Sequence, residues 1–399
     1  MRHKIGGIGS GFLLALALAP MHSWAFFDDK LEVFVSENVT HDSNVFRISG
    51  RVDPNLSIGS PHKGDTIYST AVGFNLDLPI SLQRLQLGYT WIDHRYDRFT
   101  DVNYRGHAAR AAYQWAYTTR LSGELGYTEQ ETLSTFANIQ GRRPDLVTAR
   151  MAYANAAWMV SPSWRVHGVA TASQAEHSEN RALQDLESHS AEAGVSYVTA
   201  QENRIGVAVR GERGKSPEER FLGGVPFDNE YQQESVGIQG RWVVTGHSRF
   251  DGRMDYTRRR YEQLQQRNYS GPTFEATYTW TPTGKLTIAT TAQRGVAPLE
   301  DVTTSFVLVT GLAIRPDWAI SDKVNIRGNL SWAKWEYRGD SAVQPDFEHR
   351  VKTAGLSVLY RPFARVAITG SYAREERTST LAAGDYKVDV ASIEARIGF

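Results

Sequence analysis

The chain has 399 residues, 44 basic against 44 acidic side chains, no cysteine, and a mean hydropathy of −0.41. Balanced charge gives no reason to expect nucleic acid as a partner, and the lack of cysteine excludes disulfides, thiolate metal sites and a lipid-modified cysteine. The low mean hydropathy argues against membrane-spanning helices, but it is compatible with a membrane barrel, whose strands alternate polar and apolar residues.

Residues 1–25 have the pattern of a secretory signal peptide. Arg2 and Lys4 precede a short apolar run, and residues 23–25 place small side chains at the spacing of a cleavage site. The run is too short for a transmembrane helix, which needs about 20 apolar residues. We therefore expect an exported chain whose mature part begins at residue 26.

Beyond residue 30, apolar residues recur at every second position. This alternation predicts strands with one apolar and one polar face, about 12 to 16 residues long, where globular sheets more often have strands of about 5 to 6 residues. The segments that show it include residues 72–78, 85–91, 205–209, 250–256, 324–330 and 366–372.

Short and long connections alternate between these segments. Tight turns are predicted near residues 79–81, 161–163, 200–202, 246–247, 282–284, 321–322 and 361–362, and long polar links at 41–66, 211–228 and 338–347. This asymmetry is typical of an all-β, transmembrane, antiparallel up-and-down barrel in the bacterial outer membrane, with short periplasmic turns and longer extracellular loops. Residues 26–399 are predicted to form such a barrel of about 18 strands, with residues 41–66 as a long first loop that would plug or gate the lumen if it folded inwards.

Aromatic residues cluster at two depths along the predicted strands. Those beside the short turns would form the inner girdle: Trp158, Trp164, Tyr197, Trp242, Trp280, Trp318 and Tyr360. A second set lies higher: Trp91, Tyr127, Tyr256, Trp332 and Tyr372.

The last strand ends in an aromatic residue, which resembles the signal that the bacterial barrel-assembly machinery recognises. Its apolar face holds Ala391, Ile393, Ala395, Ile397 and Phe399. Because Tyr386, Val388 and Val390 are out of phase with that face, we predict a bulge or a strand end near Ala391.

The N-terminal segment of the mature chain resembles the opening of EpsL-type exopolysaccharide-biosynthesis outer-membrane proteins. Five residues match the family's pattern: Thr40, Asp42, Asn44, Phe46 and Arg47. The resemblance implies export of a secreted polysaccharide and no established active site. From the residues alone, Asp42 and Asn44 favour a turn; a calcium or sugar contact is the alternative, although calcium needs about six or more oxygens.

If the apolar faces meet lipid, the polar faces line the lumen and carry many arginines, whose planar guanidinium groups suit carboxylates and phosphates. The candidate ligand-binding residues are Arg110, Arg165, Arg204, Arg210, Arg241, Arg253, Arg327 and Arg365. The same face holds acidic residues, so structural pairing across strands is the other interpretation. The run Arg258-Arg259-Arg260 is predicted to be a solvated or lipopolysaccharide-facing rim.

The leading functional hypothesis is export of a charged exopolysaccharide, with a general or solute-specific porin as the alternative and a non-conducting surface barrel as a third. A barrel hydrolase is the least favoured alternative and an enzyme is not expected: Asp93 and His94 point to opposite faces of a strand, and His167, a lone inward histidine, fits no Ser-His-acid set. No metal or cofactor site is predicted. Expected partners are outer-membrane lipid, lipopolysaccharide, the secreted polysaccharide, the barrel-assembly machinery and periplasmic polysaccharide-export proteins.

Overall fold

The computed structural model describes residues 30–137, 142, 144–178, 184–217, 220–222, 225–263, 265–297, 306–338 and 346–399. The predicted signal peptide lies outside these residues. The described part contains eighteen long strands: β1 (Leu31–Asp42), β2 (Asp65–Ile80), β3 (Gln83–Tyr96), β4 (Tyr104–Ala116), β5 (Leu121–Leu133), β6 (Leu146–Ser161), β7 (Trp164–His177), β8 (Leu186–Val198), β9 (Arg204–Lys215), β12 (Tyr231–Thr245), β13 (Ser248–Tyr261), β14 (Tyr269–Thr283), β15 (Leu286–Ala297), β16 (Phe306–Ala319), β17 (Val324–Arg338), β18 (Phe347–Phe363), β19 (Val366–Ser379) and β20 (Tyr386–Gly398).

Two three-residue strands, β10 (Arg220–Leu222) and β11 (Val225–Phe227), form a separate hairpin between β9 and β12. A five-residue helix, α1 (Pro54–Ile58), lies between β1 and β2, with Asp53 at its N-cap and Gly59 in a left-handed conformation at its end. In the described part of the chain, no helix is long and apolar enough to cross a membrane.

The eighteen long strands form one closed antiparallel sheet. Each strand pairs with its sequence neighbours, β9 pairs with β12 across the small hairpin, and β1 pairs with both β2 and β20. The sheet has no free edge because the first and last strands meet. The predicted up-and-down barrel of about 18 strands is confirmed.

Strand register assigns the two faces of the wall. Val33, Phe74 and Tyr89 lie side by side on β1, β2 and β3 and point outwards, where they are largely exposed to the surroundings of the barrel. All members of both predicted aromatic girdles lie on this outer face, and the set beside the short turns is about half exposed throughout. A continuous apolar outer surface with aromatic borders is what a barrel presents to lipid.

The connections alternate as predicted. At one end of the barrel, the turn end, they contain two to five residues, whereas at the other, the loop end, they contain six to 22. A turn at residues 117–120 was not predicted, because it contains neither glycine nor proline. There the hydroxyl of Thr118 accepts hydrogen bonds from the backbone N–H groups of Arg120 and Leu121, which forms the turn instead.

The predicted bulge near Ala391 is wrong. β20 keeps one register with β19 from Tyr386 to Ile397 and with β1 from Val390 to Gly398. Tyr386 and Val388 are simply inward-facing and buried, and the Tyr386 hydroxyl donates to Glu375 Oε1 at 2.7 Å. The change of phase arises because the inner face becomes apolar near the loop end.

Inward-facing side chains of β7, β8, β9, β12 and β13 contact one another in a region that we call the β7–β13 corner. Arg253 on β13 reaches Glu192 on β8 although β9 and β12 lie between them. Inward-facing glycines make room for this contact. A Cβ at Gly194 would collide with the ring of His167, and one at Gly237 with Asp255 and the Met254 backbone.

We expect Gly237→Val to destabilise the barrel by about 1–3 kcal/mol, the usual cost of forcing extra atoms into a packed site. Gly370→Val is the matched control, since a Cβ on this outward-facing glycine of β19 would have no atom within 4 Å. The loss of heat-resistant mobility on gels with increasing temperature measures the difference. Equal melting of the two variants would mean that the corner tolerates a side chain at Gly237.

Candidate functional site

The polar inner face contains the candidate site, and part of it is open to solvent. By register, Arg110 on β4, Ser122 and Gln130 on β5 and Arg315 on β16 point inwards, and all four are exposed. Water therefore reaches the inner wall along these strands.

Three of the predicted arginines come together inside the turn end. Arg165 is the second residue of β7, Arg204 begins β9, and Arg241 lies directly opposite Arg204 on β12. Their charges lie close enough to repel one another. We call these three residues the arginine cluster.

One carboxylate, that of Asp251, partly neutralises this cluster. It accepts a hydrogen bond from Arg241 and another from Arg249 Nε at 2.7 Å. Neither Arg165 nor Arg204 forms an ion pair with any described residue, so the cluster keeps an excess of positive charge that an anion can satisfy.

The predicted arginine Arg253 lies in a different setting, higher in the β7–β13 corner. It bonds Glu192 and, through Nε at 2.5 Å, Asp255, while Glu192 also contacts His167 at 3.4 Å. Gln239 completes the group through a 2.9 Å hydrogen bond to the His167 ring. Since two carboxylates surround one guanidinium, this group is a structural brace rather than an anion site.

The other predicted arginines are dispersed around the wall. Arg210 pairs with Glu212 at 3.0 Å and Arg327 with Asp317 at 3.1 Å, which agrees with structural pairing. Arg110 is solvent-exposed, and Arg365 lies in the turn between β18 and β19 and is engaged in contacts. The eight candidates therefore do not form one continuous ladder.

The prediction of a solvated rim at residues 258–260 is wrong for Arg259. Its side chain points inwards, is 1% exposed, and stacks over the ring of Tyr231 at 3.9 Å. Arg259 Nε donates to Gln233 Oε1 at 3.0 Å, and Glu212 lies 3.7 Å away. The sequence could have indicated this, because successive side chains of a strand point to opposite faces, so that Arg258 and Arg260 face outwards and Arg259 faces inwards.

The first loop, residues 43–64, folds inwards. Val45, Phe46, Ile48 and Ile58 pack in one buried cluster with residues of the β3–β4 and β5–β6 connections, and inward-facing Ile67, Tyr96 and Tyr104 border it. Phe46 makes edge-to-face contacts with Phe99 and Phe136 at ring distances of 4.8 and 4.7 Å. The loop therefore lies against the inner wall at the loop end.

The motif residues at 40–47 build the start of this loop. Asp42 accepts the backbone N–H of Asn44 at 2.8 Å and forms a 2.8 Å ion pair with Arg47. Although burial acts to lower the pKa of Arg47, the Asp42 carboxylate outweighs it and the pKa is raised. Asn44 bonds the backbone of Ile48 in both directions at 2.9 Å. These contacts form a turn and use the oxygens that a cation would need.

Arg142 joins the β5–β6 connection to the β3–β4 connection, and both connections pack against the first loop. Arg142 lies over the Phe99 ring at 5.0 Å and donates from Nε to Asp101 Oδ2 at 2.7 Å. The hydrogen bond from Arg142 holds the pKa of Asp101 below its usual value. The first loop thus packs against two connections that are themselves held together by the contacts of Arg142.

The two histidines considered for catalysis differ in their partners: His94 lies apart from the Asp93 carboxylate, whereas His167 contacts Glu192 at 3.4 Å and Gln239 at 2.9 Å. Asp93 faces outwards and pairs with Arg95, whereas His94 faces inwards and shares a 2.7 Å hydrogen bond with Ser69. His167 belongs to the brace of the β7–β13 corner. Within the described ranges, no group of three or more metal-ligating side chains is found.

Comparison with known proteins agrees with the geometry. The family model "Putative beta-barrel porin 2" matches residues 250–399. OccK2 (OpdF) of Pseudomonas aeruginosa has a similar structure, with 9% identity, a TM-score of 0.50, and coverage of 94% of this chain and 99% of that one. The chain is an outer-membrane β-barrel. Its turn end is therefore periplasmic and its loop end extracellular.

Two further solved structures give similar alignments. OccAB3 of Acinetobacter baumannii shares 9% identity at a TM-score of 0.48, covering 94% of this chain and 100% of that one. The outer membrane protein OpdK of Pseudomonas aeruginosa shares 11% at 0.45, with the same coverage. No curated protein matches the chain. The family model over residues 250–399 and the OccK2 alignment support a porin-like barrel, and neither supports the exopolysaccharide family that the motif resembles.

Phe46→Ala should release the first loop from the inner wall, because truncating a buried aromatic residue costs about 3–5 kcal/mol. Hydrogen exchange of the amides of residues 45–58 measures the loss of protection. Leu56→Ala is the control, since Leu56 lies in the same loop but is 88% exposed. Unchanged protection in Phe46→Ala would show that hydrogen bonds alone hold the loop.

Proposed function

We propose that this barrel is a porin-type channel that passes small anionic solutes. The observation that carries the proposal is the arginine cluster: three inward-facing guanidinium groups inside the periplasmic end, of which Arg165 and Arg204 have no ion-pair partner among the described residues. Like charges are held this close only at a cost in free energy, and an anion between them would offset it.

The chemistry of the cluster fits carboxylates and phosphates. Guanidinium groups donate paired N–H bonds to planar or tetrahedral oxyanions. The partial neutralisation by Asp251 keeps the attraction moderate, and a channel requires sites weak enough to release what they bind. Polar inner-face residues such as Arg110, Ser122 and Arg315 are exposed to solvent, so a hydrated solute can contact the inner wall.

We further propose that the first loop restricts the extracellular mouth. Its buried cluster lines the inner side of β2, β3 and β4, and its start is tied to β20 by a 3.1 Å hydrogen bond from Asn44 to the Lys387 backbone. An inward loop narrows the opening available to a solute. Larger single-channel conductance in Phe46→Ala than in Leu56→Ala would agree with this role.

Export of a charged polysaccharide is the second candidate, and the resemblance of residues 40–47 is what favours it. The hydrogen bonds of Asp42, Asn44 and Arg47 give those residues a structural role in shaping the loop, which a porin would need equally. Export and solute uptake predict different effects of losing the protein: loss of an exporter would leave polysaccharide in the periplasm, whereas loss of a porin would slow solute uptake.

Arg165→Gln together with Arg204→Gln should reduce the anion-over-cation permeability ratio by at least about threefold, roughly 0.6 kcal/mol. Reversal potentials across a planar bilayer in a potassium chloride gradient measure this ratio. Arg95→Gln is the control, because it removes one positive charge from the outer face. If the control lowers selectivity as much as the double variant, the cluster is not the selective element.

Deleting the gene distinguishes the two candidates. As a solute channel, its loss should slow uptake of small carboxylates and leave secreted polysaccharide unchanged. Polymer assayed in the medium and the periplasm provides the measurement. Polymer retained in the periplasm of the deletion strain, and released again by the wild-type gene, would contradict the porin proposal and favour export.

A further inference from the structure

A groove of about 650 Å³ crosses the outer surface of the wall between β8 and β13. Its lining includes the small residues Ala191, Ala193 and Gly211 and the larger apolar residues Val209, Val236 and Tyr256. By register the five side chains of this set, and the open side of Gly211, face outwards, away from the lumen. The groove is therefore distinct from the channel and opens towards lipid.

The depth of the groove follows from the direction of the strands. β13 leaves the periplasmic turn at residues 246–247 and runs outwards, so Tyr256 lies in the outer aromatic girdle and Arg258 lies just beyond it. Aromatic girdles mark the boundary between hydrocarbon and headgroups. The apolar sides of the groove thus lie at the level of acyl chains, and its upper end lies at the level of headgroups.

Positive charge collects at that upper end. Arg258 lines the groove, and Arg213 and Arg260 lie one register step beyond it on β9 and β13. Glu234, which also lines the groove and lies opposite Arg258 in register, is bonded to Arg260 at 2.9 Å. Neither Arg213 nor Arg258 forms an ion pair with another residue that the structure describes.

Two other cations of the outer collar are neutralised by neighbouring carboxylates. Arg150 lies between Glu129 and Glu176 at 3.0 and 2.6 Å. Lys334 lies between Glu336 and Glu348 at 3.4 and 2.8 Å. Arg213 and Arg258 beside the groove lack such carboxylate partners among the described residues.

We propose that the groove binds a phosphorylated lipid of the outer leaflet, of the lipid A type, with a phosphate on Arg258 and Arg213 and an acyl chain along the groove. Arginine donates paired hydrogen bonds to phosphate oxygens. An apolar groove beneath the cations suits a ligand with a charged head and a hydrocarbon tail, and its volume lies in the range of about 300–1,000 Å³ usual for ligand sites. A soluble anion would use the arginines but leave the groove empty.

Gly211 offers a direct test, because a Cβ there would have no atom within 4 Å. Gly211→Leu fills the groove without disturbing the wall, and Arg258→Gln removes the phosphate contact. Gly370→Leu and Arg95→Gln are the matched controls: Gly370 is another outward glycine with open space above it, and Arg95 is an outward arginine that is paired with Asp93. Heat-resistant gel mobility confirms that all four variants fold.

Native mass spectrometry of the detergent-purified barrels, titrated with bis-phosphorylated hexa-acyl lipid A, gives the apparent Kd. We expect Gly211→Leu and Arg258→Gln each to weaken binding by about tenfold, and both controls to stay within about twofold of wild type. Dephosphorylated lipid A should bind the wild-type barrel no more tightly than phosphorylated lipid A binds the Arg258→Gln variant.

The proposal would be overturned if Gly211→Leu bound lipid A as tightly as wild type. It would also be overturned if Gly370→Leu and Arg95→Gln weakened lipid A binding as much as the groove variants. Competition with inorganic pyrophosphate separates a lipid from a free phosphate as the ligand. Displacement of lipid A by pyrophosphate at similar concentration would show that the acyl groove contributes nothing, which also contradicts the proposal.

Discussion

Closure of the sheet is the constraint on which the rest of the structure depends. In hydrocarbon no water is available to pair a backbone N–H or C=O, so a spanning sheet must satisfy every strand by a neighbour and leave no edge. The pairing of β1 with β20 meets this requirement. Once the sheet is closed, the two-residue period of each strand separates a lipid-facing surface from an inner surface, and all polar chemistry is confined to the interior and the rims.

The sequence predicted the barrel well because its main signals are local. Alternation, turn positions and aromatic depth depend on neighbouring residues, so strands such as β3 and β18 and the girdle from Trp158 to Tyr360 are found where they were expected. Turns formed by side-chain hydroxyls, such as that of Thr118, lack a strong sequence signature.

The candidate site could be predicted only in part. Period-two alternation correctly indicates that Arg165, Arg204 and Arg241 face inwards, but their proximity depends on the strand register, which sets Arg204 directly opposite Arg241. The contact of Arg253 with Glu192 spans two intervening strands, which alternation along one strand does not predict. Reversal of polarity near the extracellular end also depends on tertiary packing, since Tyr386 and Val388 are covered from within the barrel.

The seam between β1 and β20 also constrains the order of assembly. Leu31–Asp42 must wait for Tyr386–Gly398 before its second edge is paired, and hydrogen bonds from Asn44 to Lys387 and between Ser43 and Asp389 add contacts across nearly the whole chain. Contacts this distant in sequence make folding slow and leave strand edges exposed in the meantime. The barrel therefore cannot close before the last strand has been synthesised. Until β1 and β20 have paired, the chain needs protection from aggregation.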